Sequence, residues 1–118
     1  MPHILIIEDD TDLAFLIKYA LEPLHCTLHI ANNGEDGLQQ LHTYLPEIVV
    51  LDLHLPYVTG EEIVRNIRTH AELSHTKILV YSAAPLPLPY SVELIVQKPF
   101  ALSAMRNAVQ GFLAAKTH

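Results

Sequence analysis

The stretch Val49-Val50-Leu51-Asp52-Leu53-His54-Leu55-Pro56 is an unbroken apolar run that ends on a carboxylate. A strand with one wet face alternates apolar and polar residues, whereas a parallel strand covered on both faces reads as continuous hydrophobic sequence. The run therefore calls for helices on both sides of its sheet. It also brings one charge, Asp52, to its carboxyl tip, where open α/β sheets bind their ligands. A strand-end Asp can equally do no more than cap the turn before Pro56. The rest of the chain decides between the two roles.

The same arrangement recurs along the sequence. Ile4 to Ile7 is a second apolar run, and Glu8-Asp9-Asp10 follows at once. Thr11 is placed to cap a helix whose apolar positions Leu13, Leu16, Ile17, Ala20 and Leu21 form one stripe, ended by Pro23. Dipole compensation at that helix start, some ~0.3–1 kcal/mol per acid, explains one acid better than three. Cys26 to Ala31 reads as a second strand closed by Asn32-Asn33-Gly34, and Leu38, Leu41 and Leu45 mark a helix ending before Pro46. Gly60 to His70 sets Ile63, Val64 and Ile67 against Glu61, Glu62, Arg65 and Arg68, a helix whose charges read as solvated surface. Lys77 to Ser82 is a fourth strand ending in a hydroxyl. Val92 to Val96 is a fifth, running into Gln97-Lys98-Pro99-Phe100, and Leu102, Met105, Val109, Phe112 and Leu113 complete a last amphipathic helix.

Ala83 to Ser91, between strands four and five, carries Pro85, Pro87 and Pro89. A mean helix needs ~11 residues, and alternating prolines remove donors and bar the α region before each of them. A proline-rich loop is expected in place of the fourth crossover helix. Its extended backbone can span roughly 30 Å, enough to return along a short strand and keep strand five parallel.

Strands alternating with helices imply right-handed crossovers and a three-layer α/β sandwich, with a flavodoxin-like five-stranded parallel sheet in the order 2-1-3-4-5. Strands one and three are then neighbours. Glu8, Asp9 and Asp52 converge, flanked by Ser82 and Lys98. Two carboxylates about 4 Å apart repel by roughly 4 kcal/mol at an effective dielectric near 20, which raises a pKa or recruits a cation. The ligands on offer are all oxygens, which suits Mg²⁺ or Mn²⁺ and not a thiolate or imidazole zinc site.

At 118 residues the chain reads as one domain, residues 1–118. A formal charge of −6 with only seven Lys and Arg argues against direct nucleic-acid binding and leaves no polybasic membrane patch. Cys26, the single cysteine, forms no internal disulfide, and neither a signal pattern nor an 18-residue apolar span is present, so a cytoplasmic setting is expected. The eight histidines are scattered. No Gly-rich phosphate loop follows strand one, which disfavours a small flavodoxin-like enzyme or nucleotide binder.

Four motifs together resemble the receiver domains of bacterial two-component response regulators, over essentially the whole chain. They are Glu8-Asp9 after strand one, Asp52 within LDLHLP followed by Gly60, Ser82-Ala83 after strand four, and Lys98-Pro99-Phe100 after strand five. The resemblance implies a signalling module, not an enzyme beyond its own phosphorylation and dephosphorylation. Asp52 would accept a phosphoryl group from the phosphohistidine of a sensor histidine kinase or a histidine phosphotransfer protein. Asp9, Asp52 and the backbone carbonyl of His54 would hold Mg²⁺, with Glu8 acting through a metal-bound water. Ser82 would hydrogen-bond a phosphoryl oxygen, the Lys98 ammonium would neutralise another, and the small Ala83 would leave the approach open. Lys98-Pro99 would be cis.

Two departures from the family concern output. Ile95 stands where receivers usually carry Tyr or Phe, three residues before the lysine. The proline-rich loop is the second, and its loss of a helix is expected to uncover apolar surface. A downstream partner or self-association through residues 83–96 and the last helix follows from that. The alternative is a phosphorylation-independent pseudo-receiver serving as a protein-interaction module.

Overall fold

Every residue of the central strand Ile48–Asp52 is buried, which requires strands on both edges and helices on both faces. The computed structural model describes residues 1–83, 88 and 90–115, Ala115 by its backbone alone. It runs β1 (His3–Ile7), α1 (Thr11–Leu21), β2 (Thr27–Ala31), α2 (Gly34–Tyr44), β3 (Ile48–Asp52), α3 (Gly60–Thr69), β4 (Lys77–Ser82), β5 (Leu94–Gln97) and α4 (Leu102–Ala115). All pairings are parallel, in the order β2-β1-β3-β4-β5 expected from the sequence.

Alternate residues of the strands feed two cores. Leu5, Ile7, Val49, Leu51, Ile78 and Val80 pack with Leu41, Ile63, Val64 and Ile67 from α2 and α3. On the opposite face Ile4, Ile6, Val50, Leu79 and Tyr81 pack with Ile17, Leu21, Met105 and Val109 from α1 and α4. Full burial of each such side chain contributes about 1.5–3 kcal/mol, so the sheet's centre is the most stable part of the fold.

Local chemistry differs from the sequence reading at several ends. Asp10, not Thr11, caps α1: its side chain accepts from the Asp12 and Leu13 amides, and Thr11 is already helical. A carboxylate one residue upstream wins over the hydroxyl because it accepts two donors at once. Leu16 lies outside the buried stripe and is half-exposed, because Ala14, Ile17 and Leu21 face the sheet. β2 starts at Thr27 and α3 ends at Thr69. Gly60 opens α3 pressed against the tip of β3. A Cβ there would come within 2.6 Å of Leu53 Cα and 2.8 Å of the Asp52 carbonyl oxygen, so only glycine lets the two backbones meet.

Among the described residues no helix lies between β4 and β5. The proline run itself, residues 84–87 and 89, lies outside the described residues. β5 begins two residues later than the sequence pattern suggests; ahead of it the Glu93 amide donates to the Ile78 carbonyl at 3.0 Å, and side chains add the remaining ties. Arg68 of α3 donates to the Ser91 carbonyl (2.9 Å), the Thr76 carbonyl (2.8 Å) and the Glu93 carboxylate (2.8 Å). Glu93 accepts in turn from the Ile78 amide at 2.7 Å. Arg68 is therefore no solvated surface charge; it ties α3 to the segment that enters β5. No helix among the described residues is long and apolar enough to cross a membrane.

Candidate functional site

The carboxyl ends of β1, β3, β4 and β5 meet in one place. β1 pairs beyond its last residue through the Glu8 amide, which donates to the Ala31 carbonyl at 3.0 Å, so Glu8 is held as firmly as a strand residue. β3 ends on Asp52, whose register partner on β4 is Tyr81. Ser82 follows one residue on, opposite Gln97. The Lys98 amide donates to the Ser82 carbonyl at 2.8 Å, fixing the backbone from which its side chain reaches back. The Lys98–Pro99 peptide bond is cis.

Carboxylate oxygens of Glu8, Asp9 and Asp52 all lie within 4.8 Å of one another. Asp9 is exposed, while Glu8 and Asp52 are 1 % and 6 % exposed. The Lys98 ammonium stands 3.6 Å from Asp52 Oδ2 and 3.8 Å from Glu8 Oε1. Asp52 Oδ1 accepts from the His54 amide at 3.1 Å, and Glu8 Oε2 from the Asp10 amide at 3.1 Å. Ser82 is fully buried at the tip of β4. The sequence-predicted residues Glu8, Asp9, Asp52 and Lys98 are thus brought into one cluster, with the His54 backbone against Asp52. The His54 side chain is exposed. A cleft of about 490 Å³ opens beside Asp9, lined by Leu53, His54, Leu55, Pro56, Thr59, Glu61 and Leu88.

Sequence reasoning missed Tyr81. Its ring is fully buried, and its hydroxyl donates to Glu8 Oε1 at 2.8 Å. The Lys98 ammonium sits 5.0 Å from the ring centroid, and Phe100 meets the ring edge-on at 5.4 Å. The signal was present in KILVYS, because a buried tyrosine needs a partner for its hydroxyl. Burial pushes the Glu8 carboxyl up to about 7, helped by Asp9 and the charge of Asp52 and opposed by the Asp10 amide and Tyr81 hydroxyl. Burial, together with the Glu8 charge, pushes the Tyr81 phenol well above the usual tyrosine range, so it remains a donor.

Three clustered acids need positive charge beyond one shared ammonium. Their hard oxygen donors at this spacing fit a divalent ion of the Mg²⁺ or Mn²⁺ kind.

The response regulator receiver domain model matches residues 4–110. The chain belongs to that family. Among curated relatives it is 30% identical to the response regulator ArlR of Staphylococcus epidermidis over 119 residues, covering 96% of this chain and 53% of ArlR. It is 28% identical over 121 residues to the sensor histidine kinase TmoS of Ectopseudomonas mendocina, covering 98% of this chain and 12% of TmoS. The chain thus spans about half, or less, of the length of these relatives. Among solved structures, the receiver domain of a DNA-binding response regulator (merR) from Colwellia psychrerythraea 34H superposes with a TM-score of 0.88 at 24% identity, covering 97% of this chain and 99% of that one. A CheY-like receiver from Methanospirillum hungatei JF-1 gives 0.87 at 20% identity, covering 99% and 97%. At those identities the likeness speaks for the fold.

Proposed function

We propose that this chain, residues 1–118 as one domain, is the phosphoacceptor module of a two-component pathway, with Asp52 the acceptor. The observation that carries the reading is the Asp52 carboxylate at a sheet tip, 3.6 Å from the Lys98 ammonium and within 4.8 Å of Glu8 and Asp9 oxygens. An ionised carboxylate needs no base to act as a nucleophile. In the proposed step an Asp52 oxygen bonds to phosphorus as the P–N bond of a donor phosphohistidine breaks, and the leaving imidazole nitrogen takes a proton. The donor would be a sensor histidine kinase or a histidine phosphotransfer protein. Phosphoryl transfer is mainly positioning and charge neutralisation. Lys98 supplies a positive charge to the equatorial oxygens, Ser82 a hydroxyl, and the His54 amide fixes the plane of the attacking carboxylate. Glu8 through water, Asp9, Asp52 and the His54 carbonyl would hold Mg²⁺ or Mn²⁺, which when bound supplies the remaining neutralising charge.

Beryllofluoride, a phosphoryl mimic, tests the reading in the presence of Mg²⁺. Amide resonances of His54, Ala83 and Lys98 should shift in the wild type and stay put in Asp52→Asn. Unshifted wild-type spectra would favour the phosphorylation-independent interaction module.

Output belongs to the same proposal. Ile95, 44 % exposed on the edge strand β5, cannot act as a ring switch. The face of residues 83–96 and α4 is taken as the surface for a downstream protein or a second copy, in the cytoplasm and without direct contact to nucleic acid or membrane. Light scattering with and without beryllofluoride should show a dimer or, with the partner present, a complex; a lone monomer in every mixture contradicts it.

A further inference from the structure

Lys98 is shared between two carboxylates, 3.6 Å from Asp52 and 3.8 Å from Glu8. Distances so alike do not decide which acid holds the ammonium. Each carboxylate also has one backbone donor, His54 for Asp52 and Asp10 for Glu8. The difference lies in Tyr81, whose hydroxyl donates at 2.8 Å to Glu8 Oε1, the very oxygen that Lys98 approaches. A hydroxyl on that oxygen spreads its negative charge into a hydrogen bond and weakens its pull on a second donor. Among the described residues no hydroxyl donates to Asp52 Oδ2, the oxygen that faces Lys98.

Tyr81 is built to stay in place. It is fully buried, its ring packs edge-on against Phe100 at 5.4 Å, and its backbone is in register with Asp52. The same ring lies beneath the ammonium at 5.0 Å and favours a cation over its face.

We propose that Tyr81 is a positioning residue for Lys98: by occupying Glu8 Oε1 it leaves the ammonium directed at Asp52 and at any phosphoryl group formed there. The inference rests on the phosphoacceptor reading and deepens it. Tyr81→Phe keeps the ring, the Phe100 contact and the surface under Lys98, and removes only the hydroxyl. Glu8 Oε1 then turns to Lys98 for its missing donor. In Glu8→Gln there is no carboxylate at that position to compete, so the hydroxyl should cease to matter.

The experiment is a double-mutant cycle read by two quantities at saturating Mg²⁺: the labelling rate from a small phosphodonor and the affinity for beryllofluoride, followed by amide resonances. Tyr81→Phe should be slower and bind more weakly by about tenfold, the scale of one hydrogen bond to a charged group. The Glu8→Gln, Tyr81→Phe double variant should match Glu8→Gln within about twofold. Loss of a merely structural group would slow both backgrounds alike, and that outcome overturns the proposal. So does a Tyr81→Phe variant equal to wild type in both quantities. Should Tyr81→Phe fail to fold, the double variant has no buried charge left wanting a donor, and its mismatch with Glu8→Gln still overturns the proposal. A wild type that takes neither phosphoryl group nor beryllofluoride instead refutes the phosphoacceptor reading, a result distinct from an unaffected Tyr81→Phe.

Discussion

Glu8 binds a proton in the folded chain over a range where the unfolded chain does not. Its folded value is about 7 against an ordinary 4.5, raised chiefly by burial. Between these values the native state carries the extra proton, so stability falls as pH rises through that window, the reverse of an ion-paired acid. The loss amounts to at most about 3 kcal/mol, at 1.36 kcal/mol per pKa unit. In chelator, the urea midpoint should therefore decline from pH 5 to pH 7.5, and Glu8→Gln should lose most of that decline. The difference between the two profiles is the quantity to compare. Parallel profiles would show that Glu8 is not the group responsible. The same burial that makes this charge expensive gives the site its need for a cation.

At the scale of elements, Arg68 ties down the segment entering β5 beside the backbone bond from the Glu93 amide to the Ile78 carbonyl. Its guanidinium makes three hydrogen bonds, to Thr76, Ser91 and Glu93, with its side chain only 16% exposed. Arg68→Ala should cost roughly 2 kcal/mol, since Glu93 and two carbonyls lose a charged donor. Amide exchange in Leu94–Gln97 should quicken more than in β1 or β3. A loss under about 0.5 kcal/mol with unchanged β5 protection would make Arg68 an ordinary surface residue. The sequence showed Arg68 only as one of four charges on the outer side of a helix. Its role depends on a partner 25 residues away in Glu93, and helical periodicity says nothing of such distant contacts. Asp10 was misread for a local reason, since two adjacent residues could each cap α1 and only backbone geometry chooses. The central strands β1, β3 and β4 were legible because burial on both faces leaves a continuous apolar run, and their shortness and flanking residues set them apart from a buried helix.

For the whole molecule, topology carries the acids together. The order β2-β1-β3-β4-β5 makes β1 and β3 neighbours, and parallel pairing puts Glu8, Asp9, Asp52, Ser82 and Lys98 at one end. That convergence could be read from alternation of elements and from charges at strand ends. The bond from Tyr81 to Glu8 could not, because it spans 73 residues and follows from the register of two strands that never pair directly. The central claim is that this gathered charge makes Asp52 a phosphoryl acceptor. Intact-mass measurement after incubation with a small phosphodonor and Mg²⁺ tests it most directly. The account predicts one phosphoryl group on the wild type, none on Asp52→Asn, and loss of the metal dependence in Asp9→Ala; equal labelling of wild type and Asp52→Asn would contradict it.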